Sequence, residues 1–295
     1  MKRAVIVHGG AWKIPKKQEK PCLEGAERAA RVAMNCLLDD NSALDAVEVA
    51  VECMENNPAF DAGVGSVLNA EGEIELDAAI MDGRTLNAGA VAAVRNIRNP
   101  VSLARKVMEN SDHVFLVGEG ANKFATLQGF EKFDGLLVKR ELNRWKKLRE
   151  KYRGTMKFSD ENGTVGAVAM DAHGNIAAAT STGGIPFKLP GRVGDSCLIG
   201  CGLCADNKVG GVSATGYGES IIKVMLSRVV CELLERGLTA QKAAEQSVKM
   251  LEKKINGRGG VIVLDRKGNV GIFYNTPKMA RAYMKEKSDA PISSV

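Results

Sequence analysis

A threonine opens a run of small residues, Gly163-Thr164-Val165-Gly166-Ala167-Val168-Ala169, directly after a polar stretch without periodicity. A threonine hydroxyl is a weak nucleophile until a base stands beside it. One solution makes the residue an amino terminus, so that its own α-amine takes the proton. That chemistry requires cleavage of the Gly163–Thr164 bond. Threonine is also simply a good strand former after a loop, which needs no chemistry at all. In Gly191-Arg192-Val193-Gly194-Asp195-Ser196 an Arg and an Asp stand three apart on a glycine-flanked loop. They offer a fork for a carboxylate and an acceptor for an ammonium, the two charges of a free amino-acid head group. The plainer alternative is a surface ion pair worth less than about 1 kcal/mol. Thr215-Gly216-Tyr217-Gly218-Glu219 leads into a helical pattern, where glycines would expose backbone N–H groups suited to an oxyanion. Any strand-to-helix turn favours the same residues, and Thr180-Ser181-Thr182-Gly183-Gly184 is equally ambiguous.

A different chemistry is offered by Cys197, Cys201 and Cys204, whose spacing is credible for an iron–sulfur cluster or zinc. Radical enzymes with that spacing usually carry an aromatic residue before the last cysteine, where this chain has Leu203. With His8, His113 and His173 as its only histidines, the chain has few partners for a mixed zinc site. Buried thiols are the alternative.

The elements that must position these residues come in blocks. Ala4 to Val7 reads as a short buried strand ended by a tight turn at His8-Gly9-Gly10. Helical spacing follows over Leu23 to Leu38 and again from Ser42, an N-cap candidate with Asp45 three residues on. A period of two then predicts a hairpin over Val67 to Leu76 and a strand over Gly89 to Val94. Pro100 to Glu109 and Glu119 to Leu127 read as helices around a strand at Val114 to Val117. Two later hairpins share one grammar: Asp171 with Gly174-Asn175, and Asp265 with Gly268-Asn269, bracket their turns. Between them lie helices over Glu219 to Glu235 and Thr239 to Ile255, the second with Thr239 as N-cap. Strands and helices in blocks argue for antiparallel sheet flanked by helices, an α+β fold, and against a doubly wound parallel sheet.

The 295 residues are 45% hydrophobic and 26% charged, which excludes a disordered or fibrous protein. The net charge of +6 at first suggests an acidic partner such as nucleic acid. Between Lys139 and Lys157, however, nine Lys or Arg stand against two Glu, a net +7 that leaves the rest of the chain near −1. Neither Trp12 nor Trp145 has aromatic neighbours for a base-stacking platform, so no nucleic-acid partner is expected. Residues 131–163 read as an exposed basic linker, partly helical or disordered. Seven cysteines at irregular spacings fit free thiols in a reducing cytoplasm. The first apolar run is too short for a signal-peptide core, and none approaches a membrane span.

Taken together and in order, several segments resemble the plant-type L-asparaginase and isoaspartyl peptidase family of amino-terminal-nucleophile hydrolases. They are His8-Gly9-Gly10-Ala11, Ala62-Gly63-Val64-Gly65-Ser66-Val67-Leu68-Asn69, Asp77-Ala78-Ala79-Ile80-Met81-Asp82-Gly83, Gly163-Thr164-Val165-Gly166, and the three Thr- or Arg-bearing segments quoted above. The resemblance implies a single domain over 1–295, a four-layer αββα sandwich of two antiparallel sheets. It implies a precursor cut between Gly163 and Thr164 into an α chain (1–163) and a β chain (164–295), with Thr164 as nucleophile. Thr182 falls where the family has an assisting threonine, and Thr215 with the Gly216 N–H matches the oxyanion hole. Arg192 matches the ligand of the substrate α-carboxylate, and Asp195, with the Gly218 backbone, that of its α-ammonium. Expected substrates are L-asparagine and isoaspartyl dipeptides, both releasing L-aspartate. No cofactor is required, although a sodium ion on backbone carbonyls before Gly63-x-Gly65 is implied, as is a homodimer of αβ units. Asp61 departs from the family's Asn, which hydrogen-bonds at the nucleophile. An ionised Asp there would favour the protonated α-amine and predict an alkaline optimum or slow maturation. The alternatives are a glycosylasparaginase or a Taspase-like protease; outside the superfamily they are the iron–sulfur reading and a non-catalytic binding module.

Overall fold

The structure, a computed structural model, describes residues 3–152 and 163–295. Residues 153–162, the last part of the expected linker before Gly163, lie outside the described residues. The chain begins with β1 (Ala4–Trp12), α1 (Lys16–Leu38), α2 (Ala43–Glu55), β2 (Leu76–Asp82) and β3 (Ala88–Val94). Next come α3 (Pro100–Asn110), β4 (Phe115–Val117), α4 (Gly118–Leu127) and α5 (Lys139–Lys151). After Thr164 follow β5 (Val165–Met170), β6 (Ile176–Thr182), β7 (Leu203–Asp206) and β8 (Gly210–Gly216). The remainder is α6 (Gly218–Val224), α7 (Leu226–Glu235), α8 (Ala240–Ile255), β9 (Gly259–Asp265), β10 (Val270–Tyr274), β11 (Lys278–Lys285) and β12 (Ile292–Ser294).

Two sheets form. The larger has the order β12-β11-β1-β5-β6-β2-β3-β4, and the smaller β10-β9-β8-β7. Every pairing is antiparallel except β3 with β4. Side-chain alternation sorts the strands into three cores. Val5, Val7, Ala78, Ile80, Val165, Ala167 and Ala169 face α1 and α2, whose buried residues complete one core. Ala4, Ile6, Ala79, Met81, Val168 and Met170 face Ile262 and Leu264 of the smaller sheet. Val212, Val261 and Val263 face α7 and α8 on its far side. The layers therefore run helix, sheet, sheet, helix, as the resemblance implied. Both faces of β5 and β6 are buried, so these strands are apolar but for the Thr180-Ser181-Thr182 end of β6, and their many alanines let the layers approach closely.

Local chemistry sets the element ends. Ser42 and Asp45 form a reciprocal capping box at α2, and the Thr239 side chain accepts from Lys242 N at α8. Asp171 accepts from the N–H groups of His173 and Asn175, and Asp265 from Lys267 and Asn269, which closes the two hairpins.

Several expectations need correction. The Gly9-Gly10 pair does not end the first strand: β1 runs on to Trp12, with a register shift between His8 and Ala11. Residues 67–75 form no hairpin ladder, because Asn69 gathers the N–H groups of Glu71 and Glu73 on its own side chain. The helix expected from Leu23 begins at Lys16 and carries Pro21 within it. The long helix expected after Gly218 breaks at Met225, which has φ +50. Residues 131–152 are not a wholly exposed linker. Leu136 and Glu141 are buried, and Trp145 Nε1 donates to Asn69 O at 2.8 Å, so α5 is docked on the body.

Candidate active site

The register of the larger sheet gathers the threonines. On β5 and β6 the even-numbered residues face the smaller sheet, as Val168, Met170, Ile176 and Ala178 do. Val165 pairs with Ser181, so extending that register sets Thr164 beside Thr182 on the same face. Across the gap, Ser213 and Thr215 of β8 take the face opposite to that of Val212 and Ala214 and point back toward β1. Thr164 is buried at 4% exposure.

His8 ties these strands together. Its Nδ1 lies 3.0 Å from the Thr164 carbonyl oxygen and its Nε2 2.7 Å from Ser213 Oγ. A carbonyl only accepts, so Nδ1 carries the proton, and Nε2 accepts from the Ser213 hydroxyl. Burial pushes the imidazole down to about 3, which keeps it neutral and holds that tautomer, although the Thr164 carbonyl pulls the other way. Gly166 makes room: a Cβ there would sit 2.0 Å from Ser213 Oγ and 2.5 Å from His8 Nε2. Thr164 Oγ1 itself lies 3.4 Å from Ser196 Oγ.

Gly163, on the other side of the bond, packs against Asp61 and Gly10. A Cβ on Gly163 would lie 3.3 Å from Asp61 Cβ, and one on Gly10 would lie 2.8 Å from Gly163 Cα. Asp61 Oδ1 accepts from Val67 N at 2.9 Å, while its buried Oδ2 has no hydrogen-bond partner among the described residues. Burial pushes this carboxyl up to about 7, against the opposing Val67 N–H. Thr182 Oγ1 accepts from Gly184 N, and Gly183 N donates to Asp61 O, so the Thr182 turn and the Asp61 loop are joined. A cavity of about 30 Å³, room for a water, lies between Gly163, Asp61 and the α5 residues Arg140, Glu141 and Arg144.

Thr215 Oγ1 accepts from Ala11 N at 3.1 Å, which leaves its hydroxyl proton free to donate. The next residue, Gly216, has φ +142, and a Cβ there would lie 2.4 Å from Gly259 Cα. Only glycine fits, and two donors in succession are what a developing oxyanion needs.

Arg192, Asp195 and Gly218 converge next to this group. A Cβ on Gly218 would lie 2.9 Å from both Arg192 Nη2 and Asp195 Oδ1. Asp195 is 3% exposed, and burial pushes its carboxyl up to about 7 against the pull of Arg192. Its Oδ2 has no hydrogen-bond partner among the described residues. The loop is fastened to the threonines through Asp77, which pairs with Thr182 in register and accepts from Gly194 N at 3.3 Å. Thr180 Oγ1 also donates to Ser196 O.

Apart from the cysteine trio, every sequence-derived site residue lies in one of two adjoining groups. His8, Ser196, Ser213, Asp77 and Glu219 were given no role from sequence. His8 sits in a quoted segment, but its partners are 156 and 205 positions away. The cysteine trio does not converge. Cys197 lies in the core between the sheets, Cys201 and Cys204 in the core under the helices, and Cys204 shares a hydrogen bond with Cys231. Among the described residues no group of three metal-ligating side chains forms, which overturns the iron–sulfur alternative. Among them, too, no helix is long and apolar enough to cross a membrane.

A family model described as asparaginase matches residues 1–293. The chain is 47% identical to an isoaspartyl peptidase/L-asparaginase of Danio rerio, covering 94% of this chain and 91% of that one. It is 45% identical to the Homo sapiens isoaspartyl peptidase/L-asparaginase, covering 97% and 94%. A plant-type L-asparaginase of Thermococcus kodakarensis is also 45% identical, with 99% of each chain covered.

Proposed function

The chain belongs to the asparaginase family, and from that premise we propose that it is an L-asparaginase and isoaspartyl peptidase that activates itself by cleavage before Thr164. The observation that carries this reading is the register that sets Thr164 beside Thr182 on one face of the larger sheet, with Thr215 on the facing strand of the smaller sheet and the Arg192–Asp195 loop fastened through Asp77. The names of the relatives favour it over a glycosylasparaginase or a Taspase-like protease.

Cleavage gives Thr164 a free α-amine. The L-aspartyl head group binds with its α-carboxylate on Arg192 and its α-ammonium on Asp195 and the Gly218 backbone. The Thr164 amine takes the proton of its own Oγ, and Oγ attacks the side-chain carbonyl carbon. The Thr215 hydroxyl and the Gly216 N–H stabilise the oxyanion; one such donor is worth about 100- to 1000-fold in rate. The amine returns its proton to the leaving nitrogen, which departs as ammonia or as an amino acid. Water, deprotonated by the same amine, cleaves the β-aspartyl ester and frees aspartate. His8 holds the Thr164 backbone still through both halves of the cycle.

The sodium ion implied by the resemblance has a fitting loop. The carbonyl oxygens of Pro58 and Phe60 converge on Gly65, each 2.8 Å from where a Cβ would sit. Hard oxygen donors of this kind suit such a cation, which would brace the loop carrying Asp61. We also infer a cytoplasmic enzyme and a homodimer of αβ units.

A denaturing mass measurement on the purified protein tests the proposal. Two fragments meeting at Gly163/Thr164, and none in Thr164→Ala, are expected. An intact wild-type chain, or fragmentation that persists in Thr164→Ala, overturns the assignment.

A further inference from the structure

Arg192 does not wait for a ligand with an open guanidinium. Its Nε donates to Glu219 Oε1 at 2.9 Å and its Nη2 to Glu219 Oε2 at 2.8 Å, a two-point fork. Glu219 is the second residue of α6, directly after the glycine wedged between Arg192 and Asp195. The fork takes one edge of the guanidinium, Nε and one N–H of Nη2. The Nη1 N–H pair and the second N–H of Nη2 form the remaining edge.

The loop that carries Arg192 gives its side chain no other hydrogen-bonded hold among the described residues. Gly191 has φ +77 and Gly194 faces Nη1, so neither of these two glycines supplies a side chain to pack on it. Glu75 fixes the loop backbone through Gly191 N at 3.0 Å, but that contact leaves the arginine torsions free. An arginine has many rotamers, and a planar fork held on one edge loses most of that freedom before a ligand arrives.

We propose that Glu219 is the positioning residue that sets the pose of Arg192, so that the α-carboxylate of the substrate is received end-on at Nη1 and Nη2. This deepens the proposed function and rests on its assignment of Arg192 to that carboxylate. A head group whose α-carboxylate is masked as an amide gains nothing from the prepared edge, so Glu219 contributes selectivity for the free acid.

Self-cleavage involves no bound substrate, and that separates positioning from folding. Steady-state kinetics with L-asparagine should show KM raised about five- to twentyfold in Glu219→Gln, with kcat within about twofold, and KM raised further in Glu219→Ala. Both variants should complete cleavage before Thr164 at the wild-type rate. In an Arg192→Ala background, Glu219→Ala should have no further effect on KM. Unchanged KM in both Glu219 variants overturns the proposal. So does a joint loss of kcat, KM, thermal stability and self-cleavage, which is the signature of a merely structural residue. If Arg192→Ala alone leaves KM unchanged, the assignment of Arg192 to the substrate carboxylate fails instead, whatever Glu219 does.

Discussion

Lowering the pH from 8 to 6 should weaken substrate binding about tenfold while leaving kcat governed by a different group. Asp195 is assigned to the α-ammonium, and burial pushes its carboxyl up to about 7. Only the ionised form accepts a charge-assisted hydrogen bond from an ammonium. A group titrating there is about nine-tenths ionised at pH 8 and about one-tenth ionised at pH 6. The head group itself keeps both charges across that range. Binding draws on the deprotonated form, so affinity rises as pH rises through about 7, and the ratio of apparent KM values at pH 6 and 8 is about ten, or ~1.4 kcal/mol. Asp195→Asn holds the site neutral at every pH. Its KM at pH 8 should be raised about 10- to 150-fold, the ~1.5–3 kcal/mol of a lost charged hydrogen bond. It should then stay nearly flat down to pH 6. Ammonia release with L-asparagine, fitted separately for kcat and KM at each pH, makes the measurement. The fits must be separate because the Thr164 amine titrates in kcat. A wild-type KM independent of pH, or an Asp195→Asn variant that keeps the wild-type slope, refutes the reasoning.

Asp61→Asn removes an acid from beside Gly163 and brings N–H donors to a position where Oδ2 has no partner among the described residues. It should speed self-cleavage and lower the pH optimum of hydrolysis; equal maturation rates together with equal optima count against that. Gly218→Ala drives a methyl group between Arg192 and Asp195. With overpacking of about 1–3 kcal/mol, KM should rise about fivefold or more while cleavage before Thr164 proceeds, and a wild-type KM would show that the wedge is not tight. Ser42→Ala breaks the capping box of α2 and should cost about 1 kcal/mol, read as a Tm lower by roughly 2 °C at unchanged kcat. An unshifted Tm would assign the helix start to packing alone.

What was legible in the sequence was local. Ser42, Thr239, Asp171 and Asp265 announce their caps and turns because the responding N–H groups lie within four residues. Misreadings arose where a distant partner decides. Gly9 looks like a stop, yet the strand needs it because Phe60 Cε1 would lie 2.2 Å from a Cβ there. Residues 67–75 have strand-like alternation, but Phe187 N donates to Leu68 O and Ala70 N to Lys188 O, so a loop from elsewhere claims the backbone. Met225 breaks a helix with neither Gly nor Pro to mark it. The charge run at α5 read as solvated, although Trp145 and Glu141 anchor it. At the site, Thr164, Arg192 and Asp195 could be singled out as candidates, though each segment alone also fitted a plainer reading and only the order of the segments together favoured the chemistry. Ser213 and Glu219 could not, since their importance lies only in what the register and a turn bring them against.

The order of strands in the larger sheet has a consequence for the lifetime of the enzyme. β1 lies between β11 and β5, hydrogen-bonded to both, although cleavage before Thr164 would leave it on a different polypeptide from either neighbour. The two products would therefore be interleaved, and the precursor would have to thread them before the bond is cut. Once cut, renaturation becomes a bimolecular event that depends on concentration and must insert one strand between two others. Maturation would then work as a ratchet: the precursor could refold as one chain, whereas the mature enzyme would persist only as long as it did not open. Its durability would be set by its unfolding rate more than by its equilibrium stability.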